Sequence, residues 1–299
     1  MTASSPPLDL PSPAQPAGPL APAAIHRLSL RERLARLVLP VFTGLAVLYL
    51  FLPIGVMIAF SFNDPRGRQN ITWQGFTFQN YLDIWHRPDV TGPMVTSLIV
   101  AVISTLVATT LGTLIAMALT RYQFKGRGPL NMLIFLPMAT PEIILGASLL
   151  SMWVTIGVGR DIVTITIAHV MFNISYVVVT VRARLAGFNR TLEEAAMDLG
   201  ANEWTTFRKV TFPLIFPGIL AAALLAFALS IDDYVITSFV SGATRTFPLW
   251  VFGVSRLGVP PEVNVLGTLI FLIAFLFIAI QVIASRRSIR ASLPPAPGP

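Results

Sequence analysis

Residues Thr191–Pro213 read TLEEAAMDLGANEWTTFRKVTFP, a polar and charged stretch between two long apolar runs. Thr191 and Glu194 have capping-box spacing: the hydroxyl can accept from the Glu194 N–H while the carboxylate reaches back. That predicts a helix from about Leu192, ended by Gly200, the residue type that best tolerates left-handed backbone. Asn202 can cap a second short helix, which Pro213 is expected to limit before the next apolar run. The expected object is a compact, water-exposed elbow hung from two apolar segments. One reading makes it a solvated connector; the other makes it a shape that a separate protein grips. The caps, the paired Ala195 and Ala196, the glycine break and the closing proline favour the second, since a plain connector needs none of them.

The apolar flanks set the fold class. Of 299 residues, 54 % are hydrophobic and 12 % charged, and the mean hydropathy is +0.72. Soluble domains carry roughly twice that share of charge, so the chain reads as an all-α polytopic membrane protein. Six apolar runs are each long enough for a hydrocarbon core that takes about 20 helical residues to cross. They are Val38–Phe62, Met94–Leu119, Asn131–Ile156, Ile162–Val181, Phe212–Phe239 and Val263–Ser285. The expected division is a disordered Pro/Ala-rich tail and basic segment over 1–37, a six-helix domain over 38–285, and a short tail over 286–299. The N-terminal stretch does not resemble a secretory signal, because its apolar run comes late and is too long.

The net charge of +7 raises nucleic-acid binding, but no basic patch interleaved with aromatics exists, and topology explains the charge better. With both termini in the cytoplasm, fifteen of the 21 Lys and Arg fall on that side. Such a bias follows the positive-inside rule and makes the elbow cytoplasmic. Residues 63–93, with Trp73, Phe76, Tyr81 and Trp85, are then expected at the outer interface.

The chemistry of enzymes is missing. There is no GxxxxGK[ST] phosphate loop, no HExxH and no GxSxG, and the chain has no cysteine and three histidines. Neither a cofactor nor a metal site is expected. His169, inside the fourth run, reads as a packed polar residue in preference to a proton relay.

Three acids within the apolar runs are more informative. Glu142 follows Pro137 and Pro141, and in a straight helix it would lie ~17 Å from Asn131, near mid-membrane. The prolines free carbonyls that lipid cannot satisfy, so that face should meet protein or water. A carboxylate there marks a pathway, or else a protonated group that ties helices together. Asp232 and Asp233 come about 20 Å into the fifth run. Two carboxylates facing one vestibule would attract a cation, and a polyvalent amine in particular. The bland alternative pairs one of them with Arg245 or Arg256.

The elbow resembles the cytoplasmic Glu-Ala-Ala loop in the permease subunits of bacterial ABC importers. That pattern is EAA, three residues, G, nine residues, I-x-L-P. Here it stands as Glu194-Ala195-Ala196, Met197-Asp198-Leu199, Gly200, nine residues, then Val210-Thr211-Phe212-Pro213. Val replaces Ile and Phe replaces Leu. The resemblance spans about Val95 to Ser285 and implies the type I importer fold of the binding-protein-dependent permeases. Two further stretches, LPMATPEIILGASLL (Leu136–Leu150) and SIDDYVITSFVSG (Ser230–Gly242), are similar to the second permease of spermidine/putrescine systems.

The resemblance implies that the elbow seats in a separate ABC ATPase, whose closure switches the spans between outward-open and inward-open. It implies a paralogous second permease, delivery of solute by a periplasmic binding protein, and a place in the bacterial inner membrane. Two readings compete with it. A self-contained secondary transporter or channel would use Glu142, Asp232 and Asp233 for ion coupling. It should show inverted repeats with paired broken helices, and the sequence shows one broken-looking span. An intramembrane enzyme or assembly factor would need catalytic residues that the chain lacks.

Overall fold

The computed structural model describes residues 30–67 and 69–291 and is helical nearly throughout. The tail expected over 1–37 thus lies mostly outside the described residues, as does 292–299. In chain order come α1 (Leu30–Ser61), α2 (Gln79–Asp83) with a 3-10 turn Ile84–His86, α3 (Pro88–Arg121), α4 (Arg127–Ala139) and α5 (Glu142–Thr155). Then follow α6 (Ile162–Ala186), α7 (Thr191–Asp198), α8 (Glu203–Thr206), a π-helical turn Phe207–Thr211, and α9 (Phe212–Asp232). The last are α10 (Val235–Val240), α11 (Phe247–Ser255) and α12 (Pro261–Ala291).

Four helical stretches are individually long and apolar enough to span: Leu37–Ser61, Pro88–Arg121, Ile162–Ala186 and Glu203–Asp232. The bent pair α4–α5 makes a fifth if its two arms count as one span. The sixth expected span corresponds to α12, whose apolar part is described over Pro261–Leu276. Up to Pro53, α1 belongs to a compact unit of its own. Its side chains are exposed from Leu37 to Leu52, as suits a mainly apolar helix in contact with lipid.

In the unit from Ile54 onward, α3, α6 and α9 pack on one another through small and β-branched residues. Ala108 and Ala116 of α3 meet Val177 and Val181 of α6 and Ala222 and Ala226 of α9. Between helices in lipid, close packing replaces the hydrophobic effect as the driving force. Gly112 shows how close: a Cβ there would lie 2.6 Å from Val177 Cγ1. A second cluster joins α5 and α10 to α6 through Leu145, Trp153, Phe172, Ile236 and Val240. Asp161 starts α6 with a capping box to Thr164.

Two spans differ from their straight-helix expectation. Pro141 has no N–H and holds Thr140 out of the helical region, at φ −82° and ψ 130°. The chain turns there, and α5 leaves at 106° to α4. Glu142 is therefore the first residue of α5 at a corner, and the depth reckoned along a straight helix does not apply. The fifth span is interrupted as well. It ends at Asp232, Asp233 is extended at φ −63° and ψ 119°, and α10 starts at Val235. The fifth run thus stops short of the expected Phe239, although Glu203–Asp232 is long enough to span, and α4–α5 is the one bent pair among the described residues.

The elbow differs too. The Thr191–Glu194 capping box does not form: Arg190 stands at the N-cap of α7 without a side-chain cap bond. Asn189 takes that work instead, its Oδ1 accepting from the Thr191 N–H at 3.1 Å and the Thr191 hydroxyl at 2.7 Å. An amide two residues upstream reaches both donors at once, which outcompetes the longer reach of Glu194. Pro213 does not limit a second short helix either, because α8, the π turn and α9 run on as Glu203–Asp232. Pro213 sits in the first turn of α9, and the π turn ahead of it, closed by Phe212 N–H to Phe207 O, absorbs the bond that a proline cannot donate.

Candidate functional site

At the elbow, Gly200 adopts φ +87°. Its N–H donates to Met197 O at 2.9 Å, and the Ala201 N–H to Ala196 O at 3.1 Å. Those two bonds are a Schellman end to α7, with glycine at the left-handed position. Asn202 Oδ1 accepts from Thr205 N at 2.8 Å, which caps α8 as its sequence position predicts.

Glu194 and Ala195 face solvent, and Ala196 and Val210 are half-buried. The acid that organises the elbow is Glu193, which the sequence reading passed over. Its Oε1 pairs with Arg121 at the end of α3 and accepts from the Thr211 hydroxyl. A cavity of about 430 Å³ lies against this pair, lined in part by Arg190, Met197 and Phe207. Outside, Leu192, Met197, Leu199 and Trp204 are exposed, Leu199 to 90 %. Four large apolar side chains thus stand exposed on an otherwise polar elbow. The signal was present in the sequence, as apolar residues at positions that no interior face of a short loop helix could use.

The second site lies where the α4–α5 corner meets the α9–α10 break. A cavity of about 270 Å³ is lined by Thr140 and Glu142 from the α4–α5 corner, Phe172 and Tyr176 from α6, and Asp232, Asp233 and Tyr234 from the α9–α10 break. All three acids singled out in the sequence thus line one space. Irregular backbone within a membrane protein is tolerated where it lines such a cavity. The ion pairs among the described residues do not join Asp232 or Asp233 to Arg245 or Arg256. Arg256 instead lies over the Phe252 ring, 4.4 Å from its centroid.

The acids differ in their bonding. Asp233 Oδ2 accepts from Thr237 N at 2.8 Å and Thr237 Oγ1 at 2.7 Å, while Oδ1 has the longer 3.4 Å contact to Ile236 N. Buried His169 stands behind it, Nε2 2.9 Å from Thr237 Oγ1 and Nδ1 2.6 Å from Ser230 Oγ. Glu142 and Asp232 are exposed.

Residues 108–291 match the family of binding-protein-dependent transport system inner membrane components. The chain belongs to this family. The permease is 39 % identical over 238 residues to the spermidine/putrescine transport system permease protein PotC of Escherichia coli, covering 79 % of this chain and 89 % of PotC. It is 34 % identical over 241 residues to the PotC of Haemophilus influenzae, covering 80 % and 93 %. With the putrescine transport system permease protein PotI of Escherichia coli it shares 37 % over 230 residues, 74 % of this chain and 81 % of PotI. In fold, it is similar to a chain of a bacterial ABC transporter involved in the import of the acidic polysaccharide alginate, with a TM-score of 0.61 at 19 % identity over 87 % of this chain and 98 % of that one. The permease is a non-catalytic, multi-pass transport subunit of the inner membrane, with the ABC importer permease fold.

Proposed function

We propose that this permease moves a small cationic organic solute of the polyamine class into the cell, powered by a separate ABC ATPase. The observation that carries the reading is the meeting of Glu142, Asp232 and Asp233 on one cavity beside Phe172, Tyr176 and Tyr234. Carboxylates draw the ammonium groups, while aromatic faces take methylenes and cations alike. The same lining argues against a polyanion such as the one that the fold relative's transporter imports. The relatives named for spermidine and putrescine support the reading from the other direction.

The elbow is the coupling segment in this reading. Leu192, Met197, Leu199 and Trp204 seat in the ATPase, Glu194, Ala195 and Ala196 allow close approach, and Gly200 sets the bend between the arms. Val210 and Pro213 belong to the stem that carries the motion into α9. The elbow and both termini lie in the cytoplasm, flanking a transmembrane domain over 38–285. A paralogous permease completes the membrane pair, and a periplasmic binding protein delivers the solute.

The second helix break is the one observation in favour of a self-contained transporter. Vesicles distinguish the two. Uptake of labelled spermidine should require this permease, its partner permease, the ATPase subunits, the binding protein and ATP. Uptake through this chain without ATPase and ATP would overturn the importer reading.

A further inference from the structure

His169 belongs to neither the acids nor the elbow, yet it is 1 % exposed and bonded at both ring nitrogens. Donor accounting gives its neighbourhood a direction. The Thr237 hydroxyl hydrogen is committed to Asp233 Oδ2 at 2.7 Å, so the same oxygen must accept from His169 at 2.9 Å. That assigns a hydrogen to Nε2, which also faces Asp233 Oδ2 at 3.4 Å. On the other edge, Nδ1 meets Ser230 Oγ, which in turn lies 3.0 Å from Ser104 Oγ on α3. Side chains from α3, α6, α9 and α10 are thereby joined into one buried chain that ends on a carboxylate lining the cavity.

The chain engages only one oxygen of Asp233 closely. Oδ2 takes both Thr237 donors, with His169 Nε2 3.4 Å away behind them, while Oδ1 retains accepting capacity beyond its long contact to Ile236 N. We propose that His169 is a positioning residue for transport: through Thr237 it holds Asp233 at the α9–α10 break, so that Oδ1 is left to receive the solute's cationic group. The proposal rests on the cavity being the solute path. His169 itself touches no solute. Its work is to keep Asp233 from swinging away when the break flexes and to hold the start of α10 against α6.

A side chain that merely fills space at this position would affect folding and all activities together. A positioning residue should change how much solute moves per ATP spent, because solute that is not held in the cavity escapes while the ATPase still cycles. The test uses the complete importer in vesicles, with labelled spermidine as probe, and measures imported spermidine per ATP hydrolysed. His169→Gln can still place an amide N–H where Nε2 stood, whereas His169→Asn reaches only to the Nδ1 position. Loss of a buried hydrogen bond that leaves its partner unsatisfied costs about 1 kcal/mol or more, a change of roughly five- to tenfold. We expect His169→Asn and His169→Ala to lower the ratio by about that factor, and His169→Gln to recover most of it. Should the Ala variant fail to assemble, the Gln and Asn pair still carries the comparison. Equal ratios in Gln and Asn, with Asp233→Asn impaired, overturn the positioning role and leave the cavity reading standing. An unchanged ratio in Asp233→Asn itself removes the cavity reading, and the inference with it.

Discussion

Arg121, the last residue of α3, is ion-paired with Glu193 on the elbow helix α7. The same carboxylate oxygen accepts from Thr211 in the π turn below α9. One acid thus fastens the elbow to both spans that bear on it. Glu193→Gln should cost only about 1 kcal/mol of stability, since the pair is partly solvated. Its larger effect should be on coupling: less solute per ATP, with the ATPase still bound. The swap Arg121→Glu with Glu193→Arg should restore part of the ratio that either single reversal removes. Equal behaviour of single and double variants would show that the pair has no such role.

Gly200 occupies a backbone conformation that side chains resist. A residue with a Cβ at this φ costs roughly 1 to 2 kcal/mol, and proline, fixed near φ −65°, cannot adopt it. Gly200→Pro should therefore dismantle the Schellman end and uncouple ATP hydrolysis from uptake, with the spans intact by circular dichroism. Glu194→Lys, on the exposed face, should uncouple without any change in thermal stability. Normal docking and uptake in either variant would refute the coupling role.

Leu199 and Trp204 are exposed on the elbow, Trp204 resting against the Phe207 ring at 5.8 Å between centroids. Truncating both to alanine should leave the melting temperature within about 2 °C, because exposed positions contribute little to folding. Copurification of the ATPase should fall at least about tenfold if these residues are anchors of the docking surface. Retained ATPase would assign the surface to another neighbour.

The acids of the cavity should be separable from assembly. Asp232→Asn and Glu142→Gln preserve shape and remove charge, so each should reduce spermidine uptake by about tenfold while the complex still forms. The double variant should be worse than either. Uptake that survives both singles and the double would take these residues off the path.

Gly112 tests the packing of α3 on α6. A new Cβ there meets Val177 Cβ at 2.8 Å as well as Cγ1, and neither helix can retreat without opening the core. Gly112→Val should destabilise by about 1 to 3 kcal/mol, read as a lower unfolding temperature in detergent.

Most of the architecture could be read from the chain because lipid imposes long apolar runs and loops carry the charge. The elbow's spacing was legible for the same reason: a surface shape needs caps and breaks that local sequence specifies. What could not be read were competitions between near-equal partners. Asn189 took the Thr191 N–H that Glu194 would have accepted, and the Thr191 hydroxyl with it, and a π turn let the helix run on through Pro213. The break after Asp232 was hidden because no proline marks it. It is held by Asp233 and Thr237 across a few residues and by His169 from another helix, a tertiary cause with no local signature. Glu193 was missed because its partner Arg121 is 72 positions away.

The run from Glu203 through the π turn to Asp232 is unbroken over 30 residues. It begins within the elbow and ends at the cavity, so it is a continuous helical arm roughly 45 Å long with an acid at its tip. A tilt of about 5° at the elbow end displaces that tip by about 4 Å at this rise per residue. Such a stroke is as long as an ammonium-to-carboxylate contact. In the proposed coupling, such an arm would magnify a slight rocking of a docked base into the gain or loss of a grip on the cargo.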